Sequence, residues 1–158
     1  MKTKVIAALA AVILITACQD QNHTNMEKEI FPRGVPVDNN YFTGSAWLQM
    51  LMTDESDFDC SVYNVTFEAG CRNFWHSHPG GQILLVTSGE GYYQEEGKSI
   101  QLIKTGDVIR IKPDVMHWHG ATPHSEMVHI GITAQTHKGP SVWGDAVTDE
   151  VYNSYESQ

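Results

Sequence analysis

Four side chains in this sequence could close around one divalent metal ion. His76, His78 and Gln82 lie in the run Gly70-Cys-Arg-Asn-Phe-Trp-His-Ser-His-Pro-Gly-Gly-Gln82, and His117 lies further along in His117-Trp-His119. Neutral imidazole suits Mn, Fe, Co, Ni, Cu or Zn, whereas an amide oxygen is a harder, uncharged donor. Three imidazoles with one amide leave the charge of the ion unbalanced by protein anions. Such a centre favours an anionic ligand such as an alkoxide, a carboxylate or cyanide. Residues i and i+2 of a β-strand share a face, so His76 and His78 point together, as do His117 and His119. Pairs from strands distant in sequence converge only where a sheet closes on itself. The spacing therefore predicts a metal inside a β-barrel.

His119 faces the same interior and is surplus once four ligands are assigned. A free imidazole near a bound hydroxyl is a general base close to neutral pH; it could equally orient a ligand or be a fifth one. In Glu126-Met-Val-His-Ile-Gly-Ile-Thr133, residues Met127, His129 and Gly131 share one face and Val128, Ile130 and Ile132 the other. Gly131 leaves space beside His129, which suits a pocket wall or a buried structural histidine. His124 and His137 fall in loop-like segments and read as surface residues. Trp75 and Trp118 alternate out of phase with the histidines, which assigns them to core packing or a subunit interface. Phe74 is in phase with His76 and could line the pocket. Only one of Tyr92 and Tyr93 can face inward.

The elements that must position these residues are short β-rich runs: Ala46–Met52, Ser61–Glu68, Asn73–His78, Gln82–Ser88, Gly91–Glu95, Ser99–Ile103, Asp107–Ile111, His117–His119 and Glu126–Thr133. Turn residues separate them at 68–70, 79–81, 88–91, 96–98 and 105–107. Many short strands at this spacing indicate an all-β sandwich or barrel. Thr148 before Asp149 and Glu150 predicts a short C-terminal helix with an N-cap and an acidic first turn. The 158 residues suffice for one domain.

Lys2 and Lys4 precede an unbroken apolar run, Val5 to Ile15. That is too short to span a bilayer but typical of a signal-peptide core. It ends in Ile15-Thr16-Ala17-Cys18, which resembles the lipobox of bacterial lipoproteins. The resemblance implies cleavage before Cys18, lipidation there, and an exported protein on the periplasmic or cell-surface side of a membrane. The expected organisation is a signal peptide over 1–17, a flexible polar tether over 18–29 containing a solvated His23, and one folded domain over 30–158. Without Lys2 and Lys4, 8 basic residues face 19 acidic ones, a mature charge of about −11. That argues against nucleic acid and against electrostatic binding to anionic lipid. Oxidising surroundings favour pairing of Cys60 with Cys71, but strand geometry does not. If Cys60–Phe67 and the segment after Gly70 form a hairpin, the two lie about 20 Å apart along it, beyond the roughly 7 Å that a disulfide tolerates. Two free thiols are expected.

Gly70, five residues, His76-x-His78, three residues, Gln82, six residues and Gly89 resemble the first motif of the cupin superfamily, with Gln in the usual Glu position. Gly106 and His117 match the spacing of the second motif. Inside that motif Pro113 falls one residue late, the usual glycine is replaced around Val115, and Ala121 takes the closing Asn position. A narrower similarity, from about Phe42 to Tyr152, is to small bacterial cupins of the manganese-dependent hydroxynitrile lyase type. It rests on His76-Ser-His-Pro-Gly-Gly-Gln82, His117-Trp-His-Gly-Ala121 and Val147-Thr-Asp-Glu-Val-Tyr152. The resemblance implies a single jelly-roll (double-stranded β-helix) domain with a homodimeric or homotetrameric assembly. It implies Mn²⁺, with Fe²⁺, Ni²⁺ or Zn²⁺ as alternatives, held by His76, His78, Gln82 and His117, and His119 and His129 beside it in the pocket. It also implies a lyase acting on a small hydroxylated substrate with His119 as base. A metal-dependent dioxygenase and a non-catalytic small-ligand-binding module are the rival functions, since this fold hosts many chemistries.

Overall fold

The computed structural model describes residues 29–52 and 57–155. The expected signal peptide, Cys18 and nearly all of the tether lie outside the described residues. Among the described residues twelve strands carry the fold. In chain order they are β1 (Val35–Pro36), β2 (Phe42–Thr43), β3 (Ala46–Met52), β4 (Cys60–Phe67), β5 (Arg72–Asn73) and β6 (His76–Ser77). They continue with β7 (Gln82–Glu95), β8 (Gln101–Lys104), β9 (Val108–Ile111), β10 (His117–Ala121), β11 (Met127–Ala134) and β12 (Val142–Trp143). One helix, α1 (Asp149–Asn153), follows, and Thr148 caps it by accepting the Val151 N–H, as the sequence predicts. No helix among the described residues is long and apolar enough to cross a membrane.

Every pairing is antiparallel. One face runs β1-β3-β4-β11-β7-β9 and the other β2-β5-β10-β7-β8, with β6 and β12 extending the second beside β10. The 14-residue β7 belongs to both. Its first half pairs with β9 and β11, and its second half with β8 and β10. The sheet thus curls over and encloses the apolar face of each half, the closure that the two HxH pairs require.

Three expectations need correction. The turn over 88–91 does not form. Gly89 takes a left-handed φ of 73°, but β7 continues through it; the register against β11 shifts just before, where Val128 and His129 face Ser88 and Val86 and leave Thr87 as the extra residue of a bulge. Asn73–His78 is not one strand, because a bend at Trp75 divides it into β5 and β6. The segment after Gly70 does not pair with β4; it crosses to the opposite face and pairs with β2 and β10. Cys60 and Cys71 are free thiols, as expected, though by this crossing rather than by a hairpin. Burial pushes the Cys71 thiol up to about 12.

Two apolar clusters hold the layers. Between the faces, Val65, Phe67, Leu84, Val86, Tyr93 and Met127 pack with their neighbours. Outside the second face, Tyr92, Ile100, Trp118, Val147 and Tyr152 pack beneath α1. This answers the phase question: Tyr93 faces in, Tyr92 faces out, and Trp118 is a core residue with Trp75 packed against its cluster. Arg72 clamps the C-terminal segment, donating to the Val147 carbonyl at 3.0 and 3.2 Å and stacking over Tyr152.

Candidate functional site

A cavity of about 600 Å³ opens between the two faces. Its apolar wall includes Phe42, Leu48, Met50, Val65, Phe67 and Trp143, and its polar side includes Asn73, His76, His78, Gln82, His119 and His129. No Lys, Arg, Asp or Glu is among the described residues lining it. All six site residues singled out in the sequence are buried. Phe74 does not line the cavity; it contributes its carbonyl, which accepts from His76 Nδ1 at 2.9 Å.

Each candidate ligand is placed by a strand or by the turn that follows it. His76 on β6 and His117 on β10 face each other in register, with ring centroids 4.2 Å apart. His117 Nδ1 lies 2.9 Å from the Val115 carbonyl, repeating the His76 arrangement two residues back. In both rings the backbone engages Nδ1 and leaves Nε2 for the interior. His78 follows β6, its ring 5.1 Å from that of His76, with Nδ1 3.0 Å from Ser141 Oγ. The tight turn to Gln82 needs Gly81, whose φ is 84° and whose Cβ would stand 2.9 Å from the Ile111 carbonyl oxygen.

Gln82 Oε1 lies 3.1 Å from His117 Nε2, and its Nε2 donates to the Tyr63 hydroxyl at 2.7 Å. That hydroxyl shares a further hydrogen bond of 2.9 Å with Thr133. The Tyr63 ring occupies the space that Gly131 leaves, 2.2 Å from where a Cβ would be. Sequence reasoning reads that space but gives no sign of its occupant.

His119, on β10, donates its backbone N–H to Asn73 Oδ1 at 2.9 Å. Asn73 Nδ2 lies 3.0 and 3.4 Å from the two ring nitrogens. A donor on the lone-pair axis of one nitrogen could not approach the other so closely, so the amide lies across the ring and both lone-pair axes stay open. His129 stands edge-on to His119 at 4.9 Å and stacks on Phe67 at 5.7 Å. Neither of its ring nitrogens, nor His78 Nε2, has a hydrogen-bond partner among the described residues.

Burial disfavours the charged form of every one of these imidazoles. It holds His117 and His129 at about 4, and burial together with the charge of His117 does the same to His78. His76 and His119 are pushed well below the usual histidine range, by burial first and then by neighbouring imidazoles. At neutral pH the site is a set of neutral lone pairs.

That has a consequence at His117. A doubly protonated ring would satisfy both Val115 O and Gln82 Oε1, but burial keeps the ring neutral. Either neutral form then leaves one nitrogen lone pair facing an oxygen lone pair. With Nδ1–H on Val115, the facing pair is Nε2 and Oε1, 3.1 Å apart. Neighbouring donors on an octahedral ion with bonds of about 2.1 Å stand about 3.0 Å apart. The donor set therefore fits a cation. His76, His117 and His119 each bring a ring nitrogen within 4.8 Å of the others, so His119 groups with two of the predicted ligands, and His78 is not part of that group. His78 carries the stronger mark of a ligand, a buried nitrogen with no partner, whose isolation is costly.

The sequence is also similar to known proteins. The cupin domain family matches residues 63–132. A protein of Granulicella tundricola described as (R)-mandelonitrile lyase is 39% identical over 113 residues, 72% of this chain and 86% of that one. The crystal structure of a cupin-like protein from Thermotoga maritima superposes with a TM-score of 0.78 at 54% identity, covering 80% of this chain and 96% of that one. A cupin 2 conserved barrel domain protein from Rhodopseudomonas palustris shares the fold at 15% identity, with a TM-score of 0.58 over 78% of this chain and 83% of that one.

Proposed function

The chain belongs to the cupin family, and from that membership we propose that it is a metal-dependent lyase acting on a small hydroxylated substrate, in the manner of a hydroxynitrile lyase. The observation that carries the proposal is the convergence of buried imidazoles, with ring nitrogens of His76, His117 and His119 within 4.8 Å of one another and Gln82 Oε1 3.1 Å from His117 Nε2. His76, His78, Gln82 and His117 would hold the ion, with Mn²⁺ as the proposed metal. The 39% identity to a protein described as a mandelonitrile lyase supports the reaction class.

When bound, the metal supplies Lewis-acid polarisation that makes a nearby hydroxyl easier to deprotonate. The protein does the rest. His119, neutral and with one ring nitrogen free to accept, takes the hydroxyl proton. The freed electron pair forms the carbonyl, the adjacent carbon–carbon bond breaks, and its pair leaves with the nitrile carbon as cyanide. The His119 proton then passes to that anion. His129, within a ring's width of His119, directs an N–H toward the departing group. The cavity wall brings no carboxylate against the developing anion, and its apolar side excludes water and strengthens these interactions. Asn73 holds His119 in place through its backbone N–H.

Elemental analysis of the purified protein beside His76→Ala, followed by a cyanohydrin-cleavage assay, tests the proposal. About one equivalent of Mn or another transition metal, lost in the variant, with cyanide release from the loaded protein, is the expected result. Metal uptake without turnover, or oxygen consumption coupled to substrate loss, removes the lyase reading.

A further inference from the structure

We infer that Ser141 and Trp143 are positioning residues for the metal ligands, so that the segment lining the cavity after β11 is a working part of the centre. The inference rests on the metal reading above. Both residues lie outside the 63–132 region matched by the cupin domain family, and neither carries a sequence signal.

The imidazoles of His76 and His117 are oriented by backbone carbonyls of their own strands. His78 is different. It lies just past the end of β6, and its Nδ1 is met by the Ser141 hydroxyl at 3.0 Å. Its Nε2 is buried with no partner. A ligating histidine presents a lone pair from one nitrogen, and the partner on the other nitrogen fixes which tautomer is present. In this role the Ser141 hydroxyl, a group able to donate or accept, accepts from Nδ1–H and keeps the Nε2 lone pair available. Without it the buried Nδ1–H loses its acceptor, and the alternative Nε2–H form cannot bind metal through Nε2.

Trp143 acts on the neighbouring ligand. It pairs with His76 across β12 and β6, and its ring stacks on the His76 imidazole at 4.7 Å and 26°. Tyr41 covers the opposite side of the indole at 4.4 Å and 15°. The His76 ring therefore has a flat wall on one side and the Phe74 carbonyl at its edge, which leaves one orientation. The segment is fixed at both ends: near its start the His137 N–H donates to Asp59, and near its end the Gly144 N–H donates to the Trp75 carbonyl (2.7 Å) while the Trp75 N–H donates to the Asp145 carbonyl (3.0 Å). It can hold Ser141 and Trp143 in register with the ligands because it is tied down on either side of them.

The test uses the metal-stripped full domain with wild type, Ser141→Ala, Trp143→Leu and the same-segment control Lys138→Ala, whose side chain is exposed. Titration with Mn²⁺ should give dissociation constants about 10- to 100-fold weaker for Ser141→Ala and Trp143→Leu, and within twofold of wild type for Lys138→Ala. In parallel, two-bond ¹H–¹⁵N imidazole spectra of the metal-free proteins should show His78 as the Nδ1–H tautomer in wild type and not in Ser141→Ala. A Ser141→Ala protein that binds Mn²⁺ within twofold of wild type, or keeps the wild-type tautomer, overturns the inference. So does an equal loss in Lys138→Ala. A wild type that takes up no metal instead overturns the reading on which it rests, and the tautomer measurement, made without metal, still decides the role of Ser141.

Discussion

Tyr63 and Gln82 are joined by a hydrogen bond of 2.7 Å in which the glutamine amide nitrogen donates to the phenol oxygen. With its nitrogen engaged by Tyr63, Gln82 turns its oxygen toward His117, 3.1 Å from Nε2. Tyr63→Phe removes the acceptor and leaves a buried amide donor unsatisfied, a loss of about 1–3 kcal/mol. Urea denaturation should show that loss, and metal titration should show weaker binding; unchanged values in both would mean the amide orientation is set elsewhere.

Gln82→Glu puts a carboxylate where the amide stands. The uncharged donor set is what favours an anionic ligand, so this variant should hold divalent metal more tightly and bind cyanide or azide more weakly. Parallel metal and anion titrations check it, and tighter anion binding would contradict the charge argument.

His78 and His119 make opposite predictions for metal content. His78→Ala should lose most of its metal and His119→Ala should keep it, as read by elemental analysis of the purified variants. The reverse result would move the third imidazole ligand to His119, which also lies within ligand distance of His76 and His117.

On the reaction itself, a base taken from its position typically costs 10²- to 10⁴-fold in turnover. His119→Ala should fall in that range with metal retained. His129→Phe, which keeps a ring against Phe67 and His119, should fall less. Steady-state cyanide release from the loaded variants measures both, and a larger loss in His129→Phe would exchange the two roles.

The metal-free protein should be acid-labile. His78, His117 and His129 are held at about 4 by burial, against about 6.5 in an unfolded chain. Between those values the unfolded state takes up protons that the folded state refuses. Stability contributed by these groups is therefore intact above pH 6.5 and falls as pH drops toward 4, by up to about 1.4 kcal/mol per pH unit for each. A urea series at pH 7, 6 and 5 measures it. Flat stability over that range would mean that the rings are accessible to protons in the fold.

Much of the barrel and the site is legible in the sequence because histidine spacing and turn residues are local signals. Ala46–Met52 forms as predicted, and the face alternation of Met127, His129 and Gly131 places His129 in the cavity wall. Asn73 was not legible. In an unbroken strand it points opposite to His76, and only the bend at Trp75 resets the phase so that both face inward. Tyr63, Ser141 and Trp143 reach the ligands from segments far away in sequence, through pairings that no local pattern encodes. The run 88–91 misleads for a related reason, since a glycine with positive φ can sit inside a continuous strand, as Gly89 does in β7.

The 14 residues of β7, hydrogen-bonded into both faces of the curled sheet, tie the two halves of the ligand set to one covalent element. Gln82 stands at its first residue, and its last, Glu95, pairs with His117. Opening either face must tear bonds from the same strand, so neither half can loosen as an independent foldon. Central β7 amides should accordingly exchange with deuterium only through whole-domain unfolding.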